Sequence, residues 1–413
     1  MRMKIYFKTV GCRVNQIETQ SLAEQLFSLG CQKTDDASLA DTIIINSCSV
    51  TAKADKDGFK FIEKVRKLNP KAKIIITGCT ATLYPSEIIE AYPFVQIVPN
   101  EEKKDIPFQL MNGKIKNDFF TIKKFDGHTR AFIKIQDGCN FKCNYCIVSK
   151  ARPILNSKPL LAVLEEIKTL IKNGYREIVL CGIRLGAYKC PQTETNLSAL
   201  MEKIFCLSGD FRIRFSSIEP QEITPQLLKE VKKGGDKFCS YFHIPLQSGS
   251  NKVLKEMNRR GSAQDYAQKV AEIREIFPDA GIFADIIVGY PTENEDDFKK
   301  SLNFIKKLSL SGLHVFSYSA RRGTVSAKLK SLNPKIVKER SRLMRELDKA
   351  IRLKFKKLSI SSVQRSIVLK HKGDFSHSLT SNFQNIQIEG AHEIGSFIDV
   401  LITDGNSATL AKP

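Results

Sequence analysis

Three runs rich in β-branched residues dominate the first eighty positions, and each closes on a cysteine. "MKIYFKTVGC" ends at Cys12, "DTIIINSC" at Cys48 and "AKIIITGC" at Cys79. Helical patterns fall between them, near residues 17 to 29 and 52 to 68. Strand and helix in alternation predict a parallel sheet with helices packed on it. In open α/β sheets, ligand sites lie beyond the carboxyl ends of the strands. Three thiols far apart in sequence can therefore meet at one edge of that sheet. Taken singly, each could equally be a buried core thiol, a common fate for cysteine.

The pattern then loosens over about residues 100 to 127 and resumes with longer spacing. Strand candidates are "AFIKIQ", "REIVLCG", "FRIRFSS", "YFHIPLQ", "GIFADIIVG" and "LHVFSYS". Helical segments separate most of them, such as "LLAVLEEIKTLIKNG", which ends on Gly174, a residue suited to a helix C-cap. Six strands are fewer than the eight of a closed (β/α) barrel. An open, partial (β/α)6 barrel is expected. Residues 335 to 357 form a basic helical segment, either a solvated face with i, i+4 pairs or a surface for RNA. Beyond residue 360, "SIVLKH", "NIQIEG" and "FIDVLIT" predict a small all-β module. The expected units are 1–110, 125–357 and 358–413, giving an α/β chain with a β module behind it.

The 413 residues carry 65 Lys and Arg against 44 Asp and Glu, a formal net charge of +21. That excess favours a polyanionic partner, most simply nucleic acid. No apolar run approaches the roughly 20 residues needed to span a membrane. The basic start, "MRMKIYFKTVGC", lacks the apolar core and cleavage site of a signal peptide. A cytoplasmic protein is expected. In a reducing compartment, its eleven cysteines point to metal ligands or buried thiols rather than disulfides.

The stretch "CNFKCNYC" places Cys139, Cys143 and Cys146 within eight residues, just after the first barrel strand. Four thiolates usually hold a 4Fe–4S cubane. Three would leave one iron open to a small molecule. Structural zinc is the competing reading, since it too takes closely spaced thiolates, but it normally closes its coordination with a fourth ligand. No His or Cys follows at the usual zinc spacing.

"CNFKCNYC" resembles the CxxxCxxC signature of the radical S-adenosylmethionine superfamily, with Tyr145 as its aromatic residue. The resemblance implies a 4Fe–4S cluster on Cys139, Cys143 and Cys146 whose open iron chelates S-adenosylmethionine. Reductive cleavage of that cofactor then yields a 5′-deoxyadenosyl radical. With Cys12, Cys48 and Cys79 added, the whole chain resembles the methylthiotransferase family. This implies a second 4Fe–4S cluster on the N-terminal trio, holding the sulfur that is delivered. The β module would be TRAM-like and bind tRNA.

"KTVGCRVNQIET" is most similar to the branch acting on N6-threonylcarbamoyladenosine beside the anticodon of tRNA. The isopentenyl-adenosine branch usually carries Gln-Met-Asn after the cysteine, and the ribosomal-protein branch Pro-Lys-Asn. Here the run is Arg13, Val14, Asn15 and Gln16. "LCGIRLGAY", "SSIEP", "HIPLQSGS" and "DIIVGYPTE" also resemble family motifs. The expected reaction turns an adenine C2–H into C2–SCH3, with the clusters rather than a side chain carrying the chemistry. S-adenosylmethionine is both radical source and methyl donor. An external electron donor and a sulfur source complete the expected partners.

Around the cofactor, Tyr145, Glu219 and Gln247 are expected contacts. Glu219 has a plainer reading as a carboxylate paired with a nearby arginine. His243, Ser248 and Gly249 share the strand end with Gln247, and His243 could be a hydrogen-bonded core histidine. Asp285, Gly289, Pro291 and Glu293 read as a structural turn. Cys31, Cys181, Cys190, Cys206 and Cys239 match no ligand spacing. Two features depart from the family pattern. Arg152 is followed by Pro153 instead of Gly, with Lys158 the next cation, and residues 358–413 hold four Lys or Arg against five Asp or Glu. The alternatives are the same chemistry on isopentenyl-adenosine tRNA or a ribosomal-protein aspartate, and a non-catalytic Fe–S or zinc RNA-binding protein.

Overall fold

Isoleucine runs at residues 43–45 and 74–76 form strands buried on both faces, as a parallel sheet between helix layers requires. Strands β1 (Lys4–Thr9), β2 (Gln32–Lys33), β3 (Thr42–Ser47), β4 (Lys73–Gly78) and β5 (Val95–Val98) are all parallel, in the order β2-β1-β3-β4-β5. Alternate residues serve opposite cores. Ile43, Ile45, Ile74 and Ile76 pack with Ile62 and Val65 of α2 (Ala52–Leu68). Ile5, Ile44 and Ile75 pack with Leu22 and Leu26 of α1 (Arg13–Ser28). The computed structural model describes residues 2–50, 52–111, 113 and 119–411. The connecting stretch expected at 100 to 127 thus includes positions 112 and 114–118, which lie outside the described residues.

Seven further strands follow: β6 (Ala131–Asp137), β7 (Asn156–Ser157), β8 (Glu177–Gly182), β9 (Arg212–Phe215), β10 (Tyr241–His243), β11 (Gly281–Val288) and β12 (Gly312–Ser317). They form two sheets, β7-β6-β8-β9 and β10-β11-β12. Parallel bridges Ile213↔Phe238 and Ser217↔His243 carry the first into the second. β7 is a two-residue antiparallel edge on β6. The other six run in chain order and build the open, partial barrel that the spacing predicts. Ile133, Leu180, Ile213 and Ile286 join Val163, Ile167, Val231 and Ile305 in the layer between strands and helices. The register places Phe132, Val179 and Arg214 side by side on the other, inner face, with Lys134 beside Cys181 one step further up.

The chain ends in a closed β-barrel, ordered β13-β14-β15-β17-β16: β13 (Val363–Lys372), β14 (Phe375–Thr380), β15 (Asn385–Glu389), β16 (Phe397–Ile402) and β17 (Ser407–Leu410). Sequence patterning shows three of these. It misses β14 because Ser376, Ser378 and Thr380 fill its buried positions where apolar residues would advertise a strand. This module seals the floor of the partial barrel. Phe383 stacks on Tyr241 with ring centroids 4.4 Å apart, and Asn382 Nδ2 donates to Asp279 O at 3.0 Å. Arg212 donates to the carbonyls of Arg365 and Leu379, and Arg214 to those of Ser381 and Thr380.

The basic helix runs Pro334–Leu358. It spends Arg340 on Glu293, and Arg345 and Arg352 on the carbonyls of Val315 and Leu313. Lys335, Lys338, Lys349, Lys354 and Lys357 stay exposed. No helix among the described residues is long and apolar enough to cross a membrane.

Gly281 opens β11 against this floor. A Cβ there would lie 2.0 Å from the carbonyl oxygen of Asn382, so main chain has to move. Gly281→Ala is expected to lower stability by about 2 kcal/mol, within the range for overpacking. Urea unfolding followed by circular dichroism would show a lower midpoint at unchanged slope.

Candidate functional site: two cysteine trios above a partial barrel

Because β1, β3 and β4 are neighbours and parallel, the loops leaving them share one edge. Cys12 caps the N-terminus of α1, three residues beyond β1. Cys48 follows the last residue of β3, and Cys79 follows Gly78 of β4 and opens the short helix α3 (Cys79–Leu83). Two glycines permit the approach. At Gly11 (φ +122°), a Cβ would lie 2.2 Å from the Cys48 Cβ and 2.9 Å from its Sγ. At Gly78 (φ +96°), it would lie 2.2 Å from the Ser47 carbonyl oxygen. The three sulfurs sense one another electrostatically. Val50 N–H points at the Cys48 sulfur at 3.5 Å, and Asn100 Nδ2 lies 3.8 Å from that of Cys79. Burial pushes the Cys48 thiol up to about 11, so a positive centre must displace its proton for thiolate ligation.

The second trio sits on the loop that leaves β6. Gly138 (φ +82°) passes so close to residue 154 that a Cβ would fall 1.8 Å from the Ile154 carbonyl oxygen. Cys139 N–H donates to Arg152 O at 2.9 Å, and Cys146 N–H to Cys143 O at 3.1 Å. Asn144 clamps the loop from the far side, donating from its backbone to Met257 O at 2.9 Å and from its side chain to Glu256 O at 2.8 Å. Burial, then the neighbouring Cys143 and Cys139, push the Cys146 thiol up to about 12.

Among the described residues, one trio of His, Cys, Asp or Glu brings its ligand atoms within 4.8 Å of one another, and it belongs to neither cysteine set. Single zinc ions need ligands about 2.3 Å from one atom. Neither set of thiols is drawn together that closely, so neither forms a tight single-ion zinc site as it stands.

Of the expected cofactor contacts, two gather at the second trio. Tyr145 is half-buried against Val253, Met257 and Tyr290, and burial drives its phenol well above the usual value. Glu219 grips Arg259 through two hydrogen bonds of 3.1 and 2.5 Å, and Arg259 Nη1 lies 3.9 Å from the Cys143 sulfur. The arginine partner is therefore real, and it places Glu219 beside the trio. Gln247 is buried in left-handed backbone (φ +72°), with its N–H on Asp285 O and its C=O accepting from Ile287 N–H. A non-glycine residue in that conformation costs about 1–2 kcal/mol, a strain that clusters at functional sites.

His243 is neither a core residue nor free. Its Nε2 lies 2.7 Å from Asp285 Oδ1, and its ring stacks on His314 at 4.8 Å between centroids. These three form the close trio, on the last three barrel strands. Burial lowers the His314 pKa, and the nearby His243 lowers it further. Asp285 thus belongs to this cluster, not merely to a turn. Ser248 and Gly249 serve packing, both contacting Ser301.

Sequence patterning misses what joins the two trios. Glu18 of α1, wholly buried, accepts from Lys103 at 2.6 Å, Lys134 at 2.5 Å and Arg152 at 2.9 Å. Lys134 and Arg152 also bind Asp137, two residues before Cys139. On the other side, Lys103 donates to Asn46 Oδ1, and Arg152 reaches Asn15 Oδ1, beside Cys48 and Cys12 respectively. A second tie runs from Asp55, bonded to Ser49 and Thr80, to Arg321 of the barrel. Arg152 is thus committed to the interior. The one sequence signal was a charge inside an apolar strand, Lys134 in "AFIKIQ".

Residues 133–305 match the Radical SAM superfamily, and residues 4–99 match the Uncharacterized protein family UPF0004. A threonylcarbamoyladenosine tRNA methylthiotransferase, MtaB, from Aquifex aeolicus is 33% identical over 97% of this chain and 100% of its own. The chain belongs to the radical S-adenosylmethionine methylthiotransferase family. A tRNA-2-methylthio-N(6)-dimethylallyladenosine synthase from Thermodesulfovibrio yellowstonii is also 33% identical, over 79% of this methylthiotransferase and 78% of that protein. In fold, it is similar to a radical S-adenosylmethionine methyltransferase, TsrM, from Kitasatospora setae. The TM-score is 0.57 at 11% identity, covering 77% of this chain and 75% of that one.

Glu18 is the obvious residue to test in this methylthiotransferase. Burial works to raise its carboxyl, while Arg152, Lys103 and Lys134 outweigh burial and hold it well below the usual value. Its contribution to stability is therefore complete above about pH 4.3 and lost as the pH falls through the lowered folded value. Glu18→Gln is expected to cost about 3–5 kcal/mol at pH 7, since it leaves buried cations uncompensated. In guanidinium titrations from pH 7 to pH 3, the variant's stability should also fall less with acid than the wild type's.

Proposed function

We propose that this chain converts N6-threonylcarbamoyladenosine beside the anticodon of tRNA into its 2-methylthio derivative. It would use units at 1–110, 125–357 and 358–413, in the cytoplasm, with an external electron donor and sulfur source. The observation that carries the reading is the pair of thiol trios on separate sheets, joined by one buried ion network above a single partial barrel. Cys139, Cys143 and Cys146 would hold one 4Fe–4S cluster and bound S-adenosylmethionine. Cys12, Cys48 and Cys79 would hold the other. With both clusters and S-adenosylmethionine bound, the chemistry supplied is hydrogen abstraction at the adenine C2, sulfur delivery to that carbon and methyl donation.

The chain's own groups do the positioning. Arg259, fixed by Glu219, sets a positive charge beside the Cys143 sulfur and favours its thiolate form. The half-buried Tyr145 shapes the space next to that trio, while the strained Gln247 sits beyond the end of β10, held to β11. The closed C-terminal module blocks the floor, so a base extruded from the anticodon loop enters from the cysteine side. Relatives that act on threonylcarbamoyl- and dimethylallyl-adenosine match almost equally well. The lumen favours the first, because Arg130, Glu177, Arg214, His243, Asp285 and His314 line it with polar and charged groups. A hydrocarbon arm would offer nothing to the guanidinium donors of Arg130 that its one described bond, to Glu177, leaves over.

Nucleoside mass spectrometry of tRNA from cells with and without the protein tests the reading. The 2-methylthio form of threonylcarbamoyladenosine should vanish on deletion and return with the wild-type chain. Appearance of 2-methylthio-dimethylallyladenosine instead would overturn it. Anaerobically reconstituted protein should hold about eight irons per chain. Replacing Cys12, Cys48 and Cys79 by alanine should halve that, keep cleavage of S-adenosylmethionine and abolish thiolation.

A further inference from the structure

We propose that Arg13 and Arg130 form the seat for the carboxylate carried on the N6 arm of the substrate base. The inference rests on the threonylcarbamoyladenosine reading above and assigns the residues that choose that substrate. Both guanidiniums lie over one ring: Arg13 at 4.5 Å and Arg130 at 5.6 Å from the Phe132 centroid. Phe132 faces the barrel lumen, in register with Val179 and Arg214. Arg13 also senses the Cys181 thiol of the same inner face and the like charge of Arg130. An aromatic ring helps to hold such planar cations in place, but it does not neutralise them.

Charge is out of balance here. Among the described residues, Glu177, fully buried, is the one carboxylate bonded to Arg130, Arg212 and Arg214. Arg212 and Arg214 spend their remaining donors on Glu177 and main-chain carbonyls of the C-terminal module. Arg130 makes one described hydrogen bond, to Glu177 at 3.1 Å, and Arg13 one, to the Gln16 amide oxygen at 2.7 Å. The rest of their N–H groups have no acceptor among the described residues. The N-terminus of α1, which Arg13 begins, has no side-chain cap and adds its own positive end. An anion seated between the two forks completes the set.

That anion could be an RNA phosphate or a carboxylate on the base. Location decides for the carboxylate. An extruded base enters the lumen while its phosphates stay with the strand at the rim. Arg13 directly follows Cys12, so its fork lies within one side-chain length of the trio to which the base must present C2. A threonylcarbamoyl arm ends in a carboxylate, whereas a dimethylallyl arm has nothing to offer a guanidinium.

Anticodon stem-loops carrying threonylcarbamoyladenosine, its methyl ester or dimethylallyladenosine would be compared on anaerobic holoenzyme. For the wild type, the ester should be about 100-fold worse in kcat/KM and should bind more weakly in fluorescence anisotropy, since a site built for a polar group rejects its lack. Arg13→Gln and Arg130→Gln should lose a similar factor on the acid and little on the ester, at wild-type iron content. Arg13→Lys should recover part of the loss. Equal losses on acid and ester, or a loss that tracks salt alone as a phosphate contact does, would overturn the inference. The wild-type comparison of acid with ester needs no variant to fold. Should the wild type act only on the dimethylallyl stem-loop, the functional reading itself falls. Should it use acid and ester equally, that reading stands and the carboxylate seat falls.

Discussion

One buried carboxylate fixes how the two halves of this enzyme face each other. Glu18 takes Lys103 from its own unit and Lys134 and Arg152 from the barrel, with Asp137 sharing the two barrel cations. Ion pairs of this kind add little net stability over apolar packing, because desolvation consumes most of the attraction. Their value lies in direction. Each hydrogen bond has a narrow geometry, and a greasy interface can slide where this one cannot. Asn15 and Asn46 extend the network to the first trio, and Asp137 and Arg152 bracket the second. Registration between the two sets of thiols is thereby built from buried polar side chains, with Asn15 reaching the Cys12 sulfur at 3.9 Å.

Much of the plan was legible because it rests on short-range regularities. Isoleucine-rich runs at fixed intervals announce buried parallel strands, and a cysteine closing each run announces the shared edge. The spacing of Cys139, Cys143 and Cys146 is local chemistry, readable without a fold. Helix α1 begins at Arg13 rather than near residue 17, since Cys12 itself serves as its N-cap. The β14 strand hid behind serines because hydroxyls at its inward positions pair with one another and with main chain, as Ser366 does with Ser378. Such satisfied polar interiors leave no hydrophobic periodicity to read.

The site itself was legible only in part, and for a different reason. Glu219 carries the expectation of an arginine partner but not of which one, Arg259 lying forty positions away, and Glu18 gives no sign of Arg152. Charge pairs over that separation depend on topology, which sequence periodicity does not encode. His243 looked like a coin-toss between core and catalysis; the lumen supplies a third answer, a polar wall shared with Asp285 and His314. Arg152, where Pro153 departs from the family pattern, is the keystone between units.

The floor of the barrel is joined in large part through the backbone. Arg212 and Arg214 hydrogen-bond to main-chain oxygens of the C-terminal module, with the rings of Phe397 and Phe383 lying against their guanidiniums. Peptide carbonyls are the same whatever residue bears them. Substitutions on the outer surface of that small β-barrel can therefore leave those hydrogen bonds in place. Side chains that face the floor, Asn382 and Phe383 among them, are bound to the barrel, while the outward ones are free to diversify.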